Sequence, residues 1–510
     1  MATEYQSNNQ RIAKNTLYMY LRMLISLFVS LFTTRIIFQT LGVDNFGIYN
    51  IVGSVIVFFT FLNNGLVNAT RRYFTTELAK GDFKSQSNVF SLSLLSHAIV
   101  ASIILILAET IGLWAVNNLL NIPADRIFAA NMVFQASIIA VLIQVMQAPY
   151  MAAITAHERM SIYAYFSIFD VFIKLLLVIS LVYIPGDALI VYGWLLTIVA
   201  ILNFLLYFFY CNHCFVECRA RRPHNKNLLK EIFKFMGWNL VGQGSVIITN
   251  QGVTILVNKF FSVAANAAMG VSNQITHIVT NFVTNFQTAF HPQITKLYVT
   301  NQFDELERLA TRCSRFSLYM VLIFTLPIIC QIENFLHLWL GDYPDYAVEF
   351  CVYTLIGMCI DSVSAPLWMI LGSDKRIKKY QIIISIIYMF SFILGWIFLS
   401  LNLPPYSVIF ARMIVYVSSL FARLLLVKEK ISVFRVRYWF SSVIFNTLKI
   451  LILPILIICV LKATLFDNRY FELFACGGLS LLATLISIFI IGMDSKERVF
   501  ILTKILKIKK

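Results

Sequence analysis

The strongest constraint on this chain is the recurrence, along its whole length, of apolar stretches of about twenty residues. Lipid offers a backbone no hydrogen-bond partner, so a crossing segment must be helical, and about 20 apolar residues are needed to span the hydrocarbon. Fourteen stretches qualify, near residues 16–40, 47–68, 88–115, 128–152, 162–184, 188–210, 234–257, 267–290, 315–337, 346–371, 380–401, 406–427, 438–461 and 471–492. Of the 510 residues 59% are apolar and 13% charged, against roughly 25% charged in a soluble domain. A soluble enzyme, a disordered chain, a coiled coil and a disulfide-stapled module are excluded, the nine cysteines being scattered. An all-α integral membrane protein is expected. Gaps such as Gly42–Phe46 and Pro185–Asp187 are so short that the spans they join should form antiparallel hairpins. The first apolar run is too long for a cleavable signal and no small-residue cleavage site follows, so it is expected to remain as span 1.

Basic residues give the orientation. Of 41 Lys and Arg, 32 fall before span 1, in the gaps after even-numbered spans and after span 14. Four fall on the other side: Arg126, Lys259, Lys462 and Arg469. The positive-inside rule then places both termini in the cytoplasm. The net charge of +16 becomes a collar facing anionic lipid, worth about 1 kcal/mol per near-surface residue. Divided among short loops, that charge does not suit nucleic acid. The remaining five, Arg22, Arg35, Lys174, Arg412 and Lys449, lie within spans.

The chain also resembles itself. Ala148, Pro149, Arg159 and Tyr163 recur 217 residues later as Ala365, Pro366, Arg376 and Tyr380. Phe46-Gly47 matches Met269-Gly270 and Ala69 matches Ala289, at offsets of 223 and 220. Together these equate spans 1–6 with spans 7–12. Because six is even, the two six-helix repeats enter the membrane in the same sense and are related by a pseudo-two-fold axis along its normal. The expected organisation is a first lobe over 1–211, a cytoplasmic linker over 212–233, a second lobe over 234–430, and two additional helices with a basic tail over 431–510.

Polar residues concentrate on repeat-related spans. Span 8 carries Asn273, Gln274, Thr276, His277, Thr280, Asn281, Thr284, Asn285, Gln287 and Thr288. Span 7 carries Asn239, Gln243, Ser245, Thr249, Asn250, Gln251, Thr254 and Asn258; span 2 carries Asn50, Ser54, Thr60, Asn63 and Asn64. In span 1 Arg22, Ser26, Ser30 and Thr33 form one stripe. Such residues either line a hydrated cavity suited to a polyhydroxylated ligand or hydrogen-bond between helices. Asn250, Asn273, His277, Asn281 and Gln287 are the candidate ligand contacts.

A central Arg or Lys costs about 2.5–3.5 kcal/mol to insert and so marks a function or a partner. Lys174 follows Asp170 by one helical turn, which suits a neutralising pair as well as a ligand contact. Arg22 and Arg35, thirteen residues apart, cannot share a face; Arg22 is favoured for the cavity, and Arg35 has Gln39 or lipid headgroups as alternatives. Arg412 and Lys449 have no partner nearby in sequence. Asp361 is the isolated carboxylate, open to pairing with one of these bases or to binding a coupling cation, and Asp170 shares that candidacy. Cys211, His213, Cys214, Cys218 and His224 crowd the loop after span 6, with spacings that suit a metal site less than a reduced, solvated loop. Asn68-Ala69-Thr70 fits a glycosylation acceptor on the wrong side of the membrane. No phosphate-binding loop, hydrolase triad or nucleotide-hydrolysis signature is present, so no cofactor is expected. Pro149, Pro327, Pro366 and Pro454 are candidate kinks or hinges.

One family resemblance can be placed on specific residues. Leu41-Gly42, Phe46-Gly47-Ile48-Tyr49, Arg71-Arg72-Tyr73-Phe74, Lys80-Gly81-Asp82 and the basic turn before Phe235-Met236-Gly237-Trp238-Asn239 resemble the bacterial O-antigen-type polysaccharide flippases. These share a superfamily with the multidrug and toxin extruders and the peptidoglycan-precursor flippases. The resemblance implies translocation of an undecaprenyl-diphosphate-linked oligosaccharide across the inner membrane by ion-coupled alternating access, alongside glycosyltransferases and a polysaccharide polymerase. It further implies that spans 13 and 14 supply a groove for the lipid tail. Fixed cations for a diphosphate and amides and hydroxyls for a glycan agree with it. A cation-coupled drug exporter would call for membrane carboxylates, yet span 1 has none between Glu4 and Asp44. A glycan ligase or polymerase would call for a large outer loop, and the outer gaps are short.

Overall fold

The structure, a computed structural model, describes residues 2–157, 159–219, 226–374, 378–463 and 469–500. Arg376 and His224 lie outside the described residues, as do the side chains of Asn64, Asn68, Arg72, Lys80, Asn239, Gln243, Asn285, Thr288 and Lys462. Among the described residues all regular structure is helical. In chain order the helices are α1 (Ala2–Lys80), α2 (Phe83–Leu107), α3 (Leu113–Asn118), α4 (Ile127–Ala156), α5 (Met160–Leu181), α6 (Ala188–Cys214), α7 (Lys226–Phe260), α8 (Val263–Val299) and α9 (Phe303–Cys330). They continue with α10 (Ile332–Leu340), α11 (Ala347–Ser362), α12 (Ala365–Ser373), α13 (Lys378–Ser400), α14 (Ser407–Lys430), α15 (Val436–Phe440), α16 (Asn446–Ala463), α17 (Arg469–Ser487) and α18 (Ser495–Phe500). Single π-helical turns at Ala108–Gly112, Ser441–Phe445 and Ile488–Gly492 interrupt otherwise continuous helix.

Ten helices among the described residues are long and apolar enough to cross a membrane, or eleven if α11 and α12, bent by 41°, form one span. The difference from fourteen has three local causes. Spans 1 and 2 run as one helix broken only at Gly42, where φ 73 and ψ 176 suit a residue without a Cβ. The other two are α7 and α8, 35 and 37 residues long, whose amides and hydroxyls keep their hydropathy low. Helix also continues past the expected ends: Arg71–Lys80 belongs to α1.

The chain divides into two compact units, Met1–Ala267 and Ala268–Lys510. The division therefore falls inside α8, whereas the polar stretch 212–233 was the boundary expected from sequence. The reason is local: α7 packs along α1 and touches α2 within the first unit. Its end is clasped by Asn121, whose amide N–H donates to Asn258 Oδ1 (2.7 Å) and whose Nδ2 donates to the Asn258 and Lys259 carbonyls (3.0 Å each).

In the first unit α4 and α6 make the most extensive contact. Lipid supplies little drive for apolar burial, so close approach and hydrogen bonds do the packing. Ala129, Ala130, Ala136 and Ala140 of α4 are buried, and Thr197 Oγ1 of α6 donates to the Ala136 carbonyl (2.8 Å). At one end an aromatic cluster of Phe74, Phe90, Tyr150, Tyr207 and Phe215 closes the core. The second unit has its own core from α8, α9, α12, α13 and α14, extended by Phe434, Trp439 and Val443. There Arg315 and Arg312 of α9 grip Glu497 of α18 at 2.7 and 2.9 Å, fixing the last described helix.

Asp187 starts α6 as its N-cap, accepting from the amides of Leu189 (3.0 Å) and Ile190 (3.4 Å). Arg126 chelates the same carboxylate at 2.6 and 3.1 Å and donates to Asn45 Oδ1 at 2.6 Å, tying α1, α4 and α6 together. Partial burial acts to raise the Asp187 pKa, but the Arg126 and backbone hydrogen bonds outweigh it and hold the carboxyl below its ordinary range. A lowered folded-state pKa stabilises above the unfolded value of about 4 and loses that contribution as pH falls through the folded value. Asp187→Ala should therefore cost about 1–2 kcal/mol at pH 7, measured by thermal unfolding in detergent, and the gap from the native protein should narrow in acid. A gap unchanged at pH 3 contradicts the assignment.

Gly47 permits close approach of α1 to α8: a Cβ there would lie 2.3 Å from the Val263 carbonyl oxygen. Gly→Ala inside an unhindered helix gains about 1 kcal/mol. Here Gly47→Ala should instead lose about 1–3 kcal/mol through overpacking. A stabilised variant in the same unfolding measurement contradicts this contact.

Candidate functional site

Each unit contains a constellation of polar and charged side chains around an arginine expected within a span. In the first, α5 carries Tyr163, Ser167, Asp170 and Lys174 at steps of four, three and four, one stripe along the helix. Arg22 of α1 meets the stripe, its Nη1 donating to Ser167 Oγ (3.3 Å) and its guanidinium lying 5.1 Å from the Tyr163 ring centroid. Its Nε is buried without a hydrogen-bond partner. Lys174 Nζ donates to Asp170 Oδ2 at 2.8 Å, and Asn203 Nδ2 of α6 donates to Oδ1 of the same carboxylate. The carboxylate is thus engaged at both oxygens by the protein's own donors.

In the second unit the chain breaks between α11 and α12, with Pro366 in the first turn of α12. The bend exposes carbonyls that neighbouring helices satisfy: Gln287 Nε2 of α8 donates to the Ser362 carbonyl (3.1 Å), and Ser314 Oγ of α9 to that of Val363 (2.9 Å). Ala148-Pro149, matched to Ala365-Pro366 in the sequence, lies within the continuous helix α4, so the two motifs have different local structures. Beside the bend is a cavity of about 250 Å³, lined by Thr280, Thr284, Gln287, Asp361, Ser362, Trp368, Tyr388 and Arg423 among others.

Two arginines of α14 serve this region. Arg412 and Arg423 are eleven residues apart, three helical turns on one face, and only 7% and 6% exposed. Arg423 Nη2 donates to Tyr388 Oη (3.4 Å), while Arg412 neighbours Tyr416. Both guanidiniums exert their charge on Asp361, yet the Nε of each is buried without a hydrogen-bond partner. Two cations thus act on one carboxylate beside the cavity.

Arg22, Asp170 and Lys174 come together in the first unit, and Gln287, Asp361 and Arg412 gather in the second. Arg35 is half-buried on α1, outside both groups; Lys449 is exposed on α16. Asn250 is exposed on α7, Asn273 half-buried and His277 and Asn281 exposed on α8, and none of the four lines the cavity. Sequence reasoning missed Arg423, counting it with the cytoplasmic collar although it falls within the span 406–427. Its eleven-residue spacing from Arg412 was the available signal. Trp368 and Tyr388 carried no such signal.

The cysteine-rich segment is only in part the reduced, solvated loop expected from sequence: its cysteines are free, and His213 and Cys214 are exposed. Cys211 and Cys218 are buried; the hydrogen bond that the Cys218 thiol donates to Cys211, with burial, pushes that thiol upward, away from the thiolate a metal requires. Among the described residues no group of three His, Cys, Asp or Glu side chains could hold a metal ion. The loop is instead packed: His157 stacks on Phe215 at 4.1 Å and meets Glu217 at 2.7 Å. Thr70 of the Asn68-Ala69-Thr70 sequence is buried in α1.

Comparison with known proteins gives this arrangement a context. Residues 12–298 match the family described as polysaccharide biosynthesis protein, and residues 245–397 match MatE. The uncharacterized membrane protein EpsK of Bacillus subtilis (strain 168) is 20% identical over 323 residues, 62% of this chain. The match spans 63% of that relative's length. The fold is similar to that of the lipid II flippase MurJ in an inward closed conformation, with a TM-score of 0.69 and 13% identity over 93% of this chain and 98% of that one. It is similar also to an inward-facing multidrug resistance MATE transporter, with a TM-score of 0.65 and 12% identity over 82% of this chain and 98% of that one. A third likeness is to a MOP superfamily transporter from Pyrococcus furiosus with a binding pocket of reverse polarity, with a TM-score of 0.59 and 14% identity over 82% and 96%. The first family match covers more than half of the 510 residues. This multi-pass membrane protein therefore belongs to the polysaccharide biosynthesis protein family.

Proposed function

We propose that the protein is a flippase that carries an undecaprenyl-diphosphate-linked oligosaccharide across the bacterial inner membrane, cytoplasmic to outer leaflet, for surface polysaccharide synthesis. Both termini are cytoplasmic in this reading. The two repeat-related halves exchange access, driven by an ion gradient. The observation that carries the proposal is the set of arginines within spans, Arg22, Arg412 and Arg423, whose recorded side-chain partners are hydroxyls and aromatic rings, where Arg126 and Arg315 grip carboxylates directly. Every such cation costs about 2.5–3.5 kcal/mol to place in a membrane, and an anionic cargo offsets that cost. A diphosphate accepts from guanidinium forks, and the amides and hydroxyls of α7 and α8 suit a glycan.

A drug exporter for cations would show the opposite balance, with carboxylates in excess. A peptidoglycan-precursor flippase is the second reading, supported by the similarity of fold to MurJ over 93% of the chain. Both lipids are diphosphates and differ in the headgroup.

For coupling, Asp361 is the stronger candidate of the two carboxylates, since Asp170 is occupied at both oxygens by Lys174 and Asn203. In proteoliposomes, flipping of a lipid-linked oligosaccharide should require a sodium or proton gradient in the native protein, and Asp361→Asn should remove the dependence. Arg22→Ala should reduce flipping at least tenfold at unchanged protein level, and Lys174→Ala should do less. Full activity of the native protein without any gradient contradicts the coupled mechanism. Full activity of Arg22→Ala removes Arg22 from cargo binding. Transport of the peptidoglycan precursor in preference to the glycan carrier selects the second reading.

A further inference from the structure

We infer that the cavity in the second unit is a subsite for one acidic sugar residue of the cargo, a pyranose bearing a carboxylate. The inference rests on the flippase reading and names a class of glycan within it.

Size comes first. At about 250 Å³ the cavity falls just below the 300–1,000 Å³ of pockets that enclose drug-sized ligands. It is the space of about eight waters at roughly 30 Å³ each. One sugar ring is the right scale and an oligosaccharide is not.

The walls are arranged by depth. Thr280, Thr284 and Trp368 are exposed and form the mouth, whereas Gln287, Tyr388 and Arg423 are buried at the floor. An indole at the mouth offers a flat apolar surface to the C–H face of a pyranose. The threonine hydroxyls and the Asp361 carboxylate offer partners to ring hydroxyls.

Charge selects the sugar. Arg423 has an Nε that is buried and unpartnered, while one of its Nη atoms is held by Tyr388 Oη. Arg412 also acts on Asp361, so that these two guanidiniums and the one carboxylate that lines the cavity among the described residues leave one surplus positive charge. A carboxylate balances that surplus and engages the guanidinium through charge-assisted hydrogen bonds.

The test is equilibrium binding in detergent of two synthetic lipid-linked disaccharides sharing one polyprenyl diphosphate, one ending in glucuronic acid and the other in glucose. The native protein should favour the acidic lipid by at least tenfold, and Arg423→Gln should erase the preference. Asp361→Asn, which removes the counter-charge while leaving Arg423 in place, should widen it, and this arm carries the test should Arg423→Gln fail to fold. Equal loss of both lipids in Arg423→Gln, no preference in the native protein, or a preference unmoved or narrowed in Asp361→Asn overturns the subsite. Failure of the native protein to bind either lipid removes the flippase reading and the subsite with it.

Discussion

A guanidinium in a bilayer must find its balance inside the protein or in a ligand, because lipid screens nothing. This single constraint sorts the charged residues of the chain. Where balance is internal the opposite charges meet at short range: Lys174 with Asp170 inside a span, and, at or beyond span ends, Arg126 with Asp187 and Arg315 with Glu497 at 2.7 Å. Where it is not, a polar cavity or an aromatic face stands beside the charge, as with Arg423 and Arg22. Arg126 with Asp187 and Arg315 with Glu497 join separate helices, while Lys174 with Asp170 lies within α5; the second kind is the one the proposed function turns to.

The backbone supports the same division. Small residues and single hydrogen bonds bring α4 and α6 together, and Asn121 secures the end of α7 to the first unit. The bend between α11 and α12 opens the space where Asp361 and Arg423 meet. Its freed carbonyls are satisfied by Gln287 and Ser314, so the break costs few unpaired polar groups.

Much of this was legible before any coordinates. Apolar run lengths predict a helical membrane protein, and the one-turn spacing of Asp170 and Lys174 predicts the pair that forms. Run length could not locate the unit boundary, because α7 is assigned by its contacts with α1 and by the Asn121 clasp. The cavity was only half legible. Gln287 and Asp361 stood out as polar residues in apolar surroundings, but Arg423 lay close enough to the basic turn after span 12 to pass for a loop residue. Which faces of α8 line a cavity is likewise a property of its neighbours: Thr280 and Thr284 do so, while His277 and Asn281, equally polar in sequence, do not.

The central claim is that a wet, positively charged cavity lies within the membrane portion of the second unit. Its most direct test is the rate at which Thr284→Cys, introduced after replacement of the nine native cysteines, reacts with small thiol reagents of opposite charge. The account predicts labelling in the membrane, faster with a sulfonate-bearing methanethiosulfonate than with a trimethylammonium-bearing one, and loss of that difference in Arg423→Gln. Absence of labelling, or faster reaction with the cationic reagent, would contradict it.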